Sequence, residues 1–321
     1  MSNLIADIGA TNARFQRVVD GARTGEIWVG ETARYETTEN MLSDAADALA
    51  TGQRAQGTED ALFAVAGPLD RDGSITVTNA GLHFVPDECA RILAAPVRLV
   101  NDFYAVASGV PFYQETMIIG GSNACEQSES LTKAVLGPGS GLGMAVLTQV
   151  GSGGWTVLAG EGGHADMSPT SHLETEIWSI LSQESGQVSW ESVLSGDGIC
   201  NLYRATSLMW GAQPEPRSAE EISEAGITMA EPVCHQTMEL FASLLGCCAG
   251  NLALTVGARG GVYIAGGIAP RIADFLQSSP LRRRFEEKGL MTDYVKAIPI
   301  YVVTEPDPGL IGAYYCLSGS R

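Results

Sequence analysis

Asn101-Asp102 directly follows the apolar run 97–100, where a strand ends and a helix over 103–107 begins. A carboxylate in that place can cap the helix. It can also accept the proton of an alcohol attacking a phosphate, while main-chain donors and Mg²⁺ hold the phosphate's charge. Groups suited to holding a phosphate lie elsewhere in the chain. Residues 135–147 read V-L-G-P-G-S-G-L-G-M-A-V-L, with Gly137, Gly139, Gly141 and Gly143 alternating between two apolar runs. Such a turn is either a tight β-hairpin or a nest of N–H groups that an anion can approach closely. A second turn, Asp7-Ile8-Gly9-Ala10-Thr11-Asn12, also follows an apolar run. There Thr11 and Asn12 are side-chain donors, and Asp7 is either a turn residue or a carboxylate that positions hydrated Mg²⁺. Gly266-Gly267 offers a third close approach, as a strand-to-helix turn or as a contact for a purine.

The polar cluster Glu161-Gly162-Gly163-His164 follows another strand. Glutamate and histidine three apart can ligate a metal, but no Cys or His partners lie nearby to complete a tetrahedral site. Hydrogen bonding to a polyhydroxyl ligand fits better, since a carboxylate takes two hydroxyl donors and imidazole offers one group of each type. No metal-ligating set is expected, and His83, His172 and His235 read as structural. The lysine of G-x-x-x-x-G-K-[ST] is missing from the glycine loop, and no G-x-G-x-x-G follows the first strand. The remaining possibility is a nucleotide tail clamped between two glycine or hydroxyl turns.

The elements that must position these groups form two similar series. Strands are expected over 4–6, 13–19 and 26–33, then a helix after Asn40 stopped by Gly52, strands over 61–66 and 75–78, a helix over 86–93 and a strand over 97–100. The second series has strands over 133–136, 144–150 and 155–159. Helices follow over 172–183, 197–209 with Asp197 as N-cap, 218–225 and 231–256, then strands over 261–265 and 300–304 and a helix over 309–317. Residues 211–216 and 277–280 read as surface loops. Two phosphate-type turns about 130 residues apart, each inside a strand meander, suggest duplication of one α/β architecture with a cleft between the halves.

Composition sets limits on function. The chain has 321 residues, 45% hydrophobic and 17% charged, which suits a folded core and not disorder. A net charge of −18 with only three lysines argues against nucleic acid as the main partner. Seven scattered cysteines without a C-x-x-C pair indicate neither a disulfide framework nor a zinc knuckle. With no signal-peptide pattern, a cytoplasmic protein is expected. The apolar stretch 240–256 is broken by Gly246, Gly250 and Asn251 and reads as a buried helix, so no membrane role is expected.

Taken together, these motifs resemble the bacterial ATP-dependent glucokinases of the hexokinase and actin-like ATPase superfamily. The resemblance runs through almost the whole chain. Residues 7–14 (D-I-G-A-T-N-A-R) look like the first phosphate motif, 65–69 with Thr78-Asn79 like a sugar-side segment, and 99–103 (L-V-N-D-F) like the catalytic segment. Residues 136–143 look like the second phosphate motif, 161–164 like the sugar-recognition turn, 194–199 (L-S-G-D-G-I) like the segment after a further sugar-binding glutamate, and 265–268 like the adenosine motif.

The resemblance implies an α/β protein with a two-lobed, ribonuclease H-like fold: a duplicated mixed sheet with flanking helices. The small domain would be 1–110 plus 305–321, and the large one 111–304 with helical insertions. It implies ATP- and Mg²⁺-dependent phosphorylation of glucose at the 6-hydroxyl, the entry step of glycolysis, with the cleft closing over both substrates. Asp102 would be the general base. Asn101, Asp102, Glu161, His164 and Glu191 would bind the sugar. Ala6, Asp7, Ile8, Gly9, Ala10, Thr11, Gly137, Gly139 and Gly141 would hold ATP phosphates, and Gly266 and Gly267 the adenosine. A homodimer is implied as well. Ala10 replaces a second glycine of many relatives, which narrows the approach to the phosphates. His164 is followed by Ala-Asp-Met-Ser-Pro, without the cysteines of the zinc-containing sugar-kinase group, which favours the zinc-free branch. Bulky residues at Gly139 or Gly141 are expected to weaken ATP use more than glucose binding. A kinase for another hexose or an amino sugar is the alternative. A sugar-responsive regulator would want a helix-turn-helix before the first strand, where only three residues stand. A filament-forming ATPase would have no use for the Asn-Asp and Glu-Gly-Gly-His groups.

Overall fold

The computed structural model describes residues 2–50, 58–77, 80–121, 131–149, 151 and 154–319. In chain order the elements are β1 (Ser2–Ile8), β2 (Asn12–Val19), β3 (Ala22–Glu31), α1 (Thr38–Ala48), β4 (Ala61–Val65), β5 (Ile75–Thr76), β6 (His83–Phe84), α2 (Pro86–Leu93), β7 (Val97–Asn101) and α3 (Asp102–Gly109). They continue as β8 (Thr116–Ile118), β9 (Lys133–Pro138), β10 (Leu142–Gln149), β11 (Trp155–Gly160), α4 (His172–Ser185), α5 (Gly196–Met209), α6 (Ala219–Ile227) and α7 (Pro232–Val256). The last are β12 (Val262–Ile264), α8 (Ala273–Ser278), α9 (Leu281–Glu286), α10 (Thr292–Lys296), β13 (Ile300–Val303) and α11 (Pro308–Ser318). The chain divides into two compact units. Unit 1 comprises Met1–Gln114, Trp155–Ala159 and Glu305–Arg321; unit 2 comprises Glu115–Gly154 and Gly160–Thr304.

The sheet of unit 1 has the order β3-β2-β1-β4-β7, antiparallel through β1 to β3 and parallel through β1, β4 and β7. All five residues of β4 are buried, as both faces of a parallel strand must be when each is covered. Alternation along the strands sorts the core. Leu4, Ala6, Ile8, Phe63 and Val65 pack with Met41, Leu42 and Leu93 on one face. Ile5, Leu62 and Ala64 pack with Ala105, Leu310, Ala313 and Leu317 of α3 and α11 on the other. In unit 2, the order β10-β9-β12-β13 repeats β2-β1-β4-β7, with β9/β10 antiparallel and β9/β12 and β12/β13 parallel. The expected duplication of one mixed sheet is therefore present.

The long apolar helix α7 passes a length and composition test for a membrane span, but its most apolar window is 61% buried inside the fold. Gly246 and Gly250 do not break it. They let α9 approach, because a Cβ on Gly246 would overlap Leu281 O and one on Gly250 would meet Phe285 O at 2.8 Å.

Several sequence expectations need correction. α1 begins at Thr38, ahead of Asn40, and is capped by Thr37, whose hydroxyl accepts the Asn40 N–H at 3.2 Å. The apolar pattern starts at Met41 because Glu39 and Asn40 of the first turn are exposed. Ser195, not Asp197, caps α5 through the Gly198 N–H at 3.0 Å, and Asp197 stands in the first turn where its charge suits the helix dipole. The polar stretch 277–280 is no loop of its own: Gln277 and Ser278 finish α8, and Pro280 stands at the N-cap position of α9. β6, β8, α8, α9 and α10 have no counterpart in the sequence pattern, being too short to show a period. The Gly52 stop, Thr78-Asn79 and Cys125 lie outside the described residues.

Candidate active site

In unit 1, Ala6, Asp7 and Ile8 end β1, and Gly9, Ala10 and Thr11 make the turn into β2. The Gly9 N–H donates to Asn12 O at 2.9 Å and closes it. Buried Thr32 pins it from beneath, donating its hydroxyl to Gly9 O at 2.8 Å and its N–H to Thr11 O at 2.9 Å, while Thr11 stays exposed. Asp7 lies opposite Arg14 in the ladder. Its carboxylate packs onto the first turn of α11, where any Cβ on Gly309 would overlap it. The Arg14 guanidinium is shared with Asp307, Nε to Oδ1 3.0 Å. Loss of hydration pushes the Asp7 carboxyl up from 3.8 to about 6; Arg14 draws it down and Asp307 pushes it further up.

The β7–α3 junction answers the capping question. Asn101 is the N-cap, its Oδ1 accepting the Tyr104 N–H at 3.1 Å, and its Nδ2 donates to Gly67 O at 3.0 Å. Asp102 is the first helical residue, and its Oδ1 accepts the Phe103 N–H at 2.9 Å. The amide of Asn101 thus ties the 65–69 segment to the Asn-Asp pair.

In unit 2, Gly137 lies within β9 opposite Gly143, and Gly139 to Gly141 form the turn, closed by the Gly139 N–H on Gly141 O at 2.8 Å. The hairpin and the ligand-approach readings are both compatible with this backbone. Gly266, at φ +79°, presses onto Pro138, whose carbonyl any Cβ there would overlap, and the Ile268 N–H donates to the same carbonyl at 3.1 Å. Gly267 N would lie 3.7 Å from a Cβ on Gly139. On another side, Glu191 Oε2 accepts the Leu142 N–H at 2.8 Å, and the Gly196 N–H donates to Gly139 O at 2.9 Å. Glu161 precedes a single 3₁₀ turn, Gly162–His164, that His164 ends, and both side chains are exposed. His164 Nδ1 lies 3.8 Å from Glu191 Oε1, and the Glu191 N–H donates to Gly163 O at 2.8 Å. Unit 2 therefore gathers the glycine loop, the 161–164 turn, Glu191 and Gly266-Gly267 into one connected patch.

The family model described as Glucokinase matches residues 4–320. The chain belongs to the glucokinase family. The glucokinase of Chromobacterium violaceum is 38% identical over 312 residues, covering 96% of this chain and 87% of that protein. That of Neisseria meningitidis serogroup B is 39% identical over 318 residues, covering 97% and 93%. A crystal structure of glucokinase from an Antarctic psychrotroph superposes with a TM-score of 0.82 at 32% identity, covering 99% of each chain. The mixed α/β architecture is that of the glucokinase fold.

Some parts of this glucokinase-family site escaped the sequence reading. Thr32, Asp307 and Gly309 frame the Asp7 turn together with Arg14 of the 7–14 motif, and only the strand register and the α11 packing bring them there. Local sequence offered one hint, the Asp307-Pro308-Gly309 helix start. The bond from Leu142 to Glu191 spans 49 residues and has no local signature.

Proposed function

We propose that this chain transfers the terminal phosphoryl group of ATP to the 6-hydroxyl of glucose. The connected patch in unit 2 carries the reading. It joins a polyhydroxyl-binding set, Glu161, His164 and Glu191, to a glycine loop suited to a phosphate. The family to which the chain belongs acts on that sugar by name. Glu161, His164, Glu191 and Asn101 hold the sugar hydroxyls and set which epimer fits. Asp102 accepts the 6-hydroxyl proton as the oxygen attacks the phosphorus. The turn at 6–11 and the loop at 137–143 hold phosphates by main-chain N–H groups, and Gly266-Gly267, with open space where a Cβ on Gly267 would stand, takes the adenosine.

Among the described residues, no group of three or more His, Cys, Asp or Glu side chains could hold a metal ion alone. Asp7 fits hydrated Mg²⁺ brought in with the nucleotide. It is a carboxylate short of hydration, and the Arg14 guanidinium beside it is shared with Asp307. There Mg²⁺ would neutralise charge on the phosphate oxygens. We include the homodimer implied by the resemblance, which light scattering of the purified protein tests.

A coupled assay over a hexose panel tests the reading: glucose with ATP and Mg²⁺ should yield ADP and a 6-phosphate. Asp102→Ala should lower turnover roughly 10²- to 10⁴-fold while glucose binding persists in calorimetry. A panel without glucose-dependent turnover rejects the function, and near-normal turnover in D102A removes the base.

A further inference from the structure

Glu191 has two jobs in the structure, and only one concerns the sugar. Its Oε1 faces His164 at 3.8 Å, on the side of the hydroxyl-binding turn. Its Oε2 accepts the main-chain N–H of Leu142 at 2.8 Å, on the last link of the glycine loop, and would lie 2.5 Å from a Cβ on Gly141. The backbone reinforces this grip. The Glu191 N–H donates to Gly163 O at 2.8 Å, Ser195 Oγ donates to Glu191 O at 2.9 Å, and the Gly196 N–H holds Gly139 O at 2.9 Å. A Cβ on Gly163 would overlap Leu142 O, so the 161–164 turn rests directly on the loop's exit. One short segment, 191–196, thereby fastens both ends of the glycine loop.

We propose that the Glu191 carboxylate is a positioning joint, through which the glycine loop's geometry and sugar binding are coupled in both directions. The inference rests on the glucokinase reading for the sugar and goes beyond it by giving this carboxylate a role in nucleotide affinity when no sugar is present. A carboxylate that accepts a main-chain N–H holds it by a charge-assisted bond, stronger than a neutral one. A sugar hydroxyl donating to the same carboxylate acts on the group that holds Leu142, and linkage requires the reverse effect to be equal.

The two loop glycines then part company. A methyl group at Gly139 meets only ordinary contacts, whereas one at Gly141 drives into Glu191 Oε2. The expectation that both positions affect ATP use more than glucose binding is therefore revised for Gly141.

Calorimetry on the full chain tests the joint with one substrate at a time. Mg·ADP affinity without sugar should fall roughly tenfold in Glu191→Ala. It should recover in part in Glu191→Gln, whose neutral amide oxygen can still accept the Leu142 N–H, by a weaker bond. Glucose affinity without nucleotide should fall in Gly141→Ala but stay at the parent value in Gly139→Ala. Unchanged ADP affinity in E191A, or unchanged glucose affinity in G141A, overturns the joint while a parent that turns over glucose keeps the glucokinase reading. Loss of ADP affinity in E191Q equal to that in E191A also overturns it, because the acceptor is then not what matters. A parent protein that binds no glucose overturns both.

Discussion

Asp7 shows how one side chain is bound to a cost elsewhere. An unfolded chain titrates it at the ordinary 3.8, while the folded chain holds the proton up to about 6. The folded state therefore binds more protons between these values, and stability falls as pH rises from about 4 to about 6. The rise from 3.8 to about 6 corresponds to roughly 3 kcal/mol of destabilisation at neutral pH. Asp7→Asn should recover a good part of that at pH 7 and none near pH 3.5, measured by urea unfolding at both values, while losing turnover. A D7N chain no more stable than its parent at pH 7 would show that Arg14 compensates fully. Asp7 was legible as a carboxylate at a strand end. Its shifted acidity was not, because Gly309 and Asp307 reach it only through folding. Asp102 was likewise legible at the strand-to-helix junction, but not its place one residue past the cap, which Asn101 fills.

Among the elements, α7 and α9 give the sharpest case. Gly246 read as an interruption in an apolar stretch, yet its missing side chain is what lets the α9 backbone lie against the helix. Gly246→Ala gains about 1 kcal/mol of helix propensity. The overlap is with a carbonyl of the partner backbone, which no rotamer can relieve, so overpacking of about 1–3 kcal/mol prevails. A lower urea midpoint with an unchanged slope is expected, and a raised midpoint would contradict the packing. Elements with long periods or clear punctuation, such as α2 from Pro86 to Leu93, were legible to the residue. Short ones such as α9 owe their form to burial of Leu281 and Phe285, and tertiary contact leaves no period in six residues.

For the molecule as a whole, the duplicated sheet was legible because each copy opens with a strand, a small-residue turn and a returning strand. The membership of unit 1 depends on residues far apart in sequence. Its sheet carries Ile5, Leu62 and Ala64 on a face that Leu310, Ala313 and Leu317 cover. A chain stopped after Thr304 should therefore bind a hydrophobic dye and be digested within 1–114 sooner than within 160–304. Equal protection of both would show that α11 is dispensable.

The placement of α11 also orders events during synthesis. Among the described residues, unit 2 has all its strands once Val303 is made, whereas the sheet of unit 1, begun at Ser2, waits for α11 before the face that α3 covers in part is fully covered. The same late helix presses Gly309 against Asp7. A ribosome stalled before Asp307 thus holds a chain whose Asp7 turn still lacks the wall that Gly309 gives it, so the turn proposed to hold phosphate is complete only once α11 has emerged.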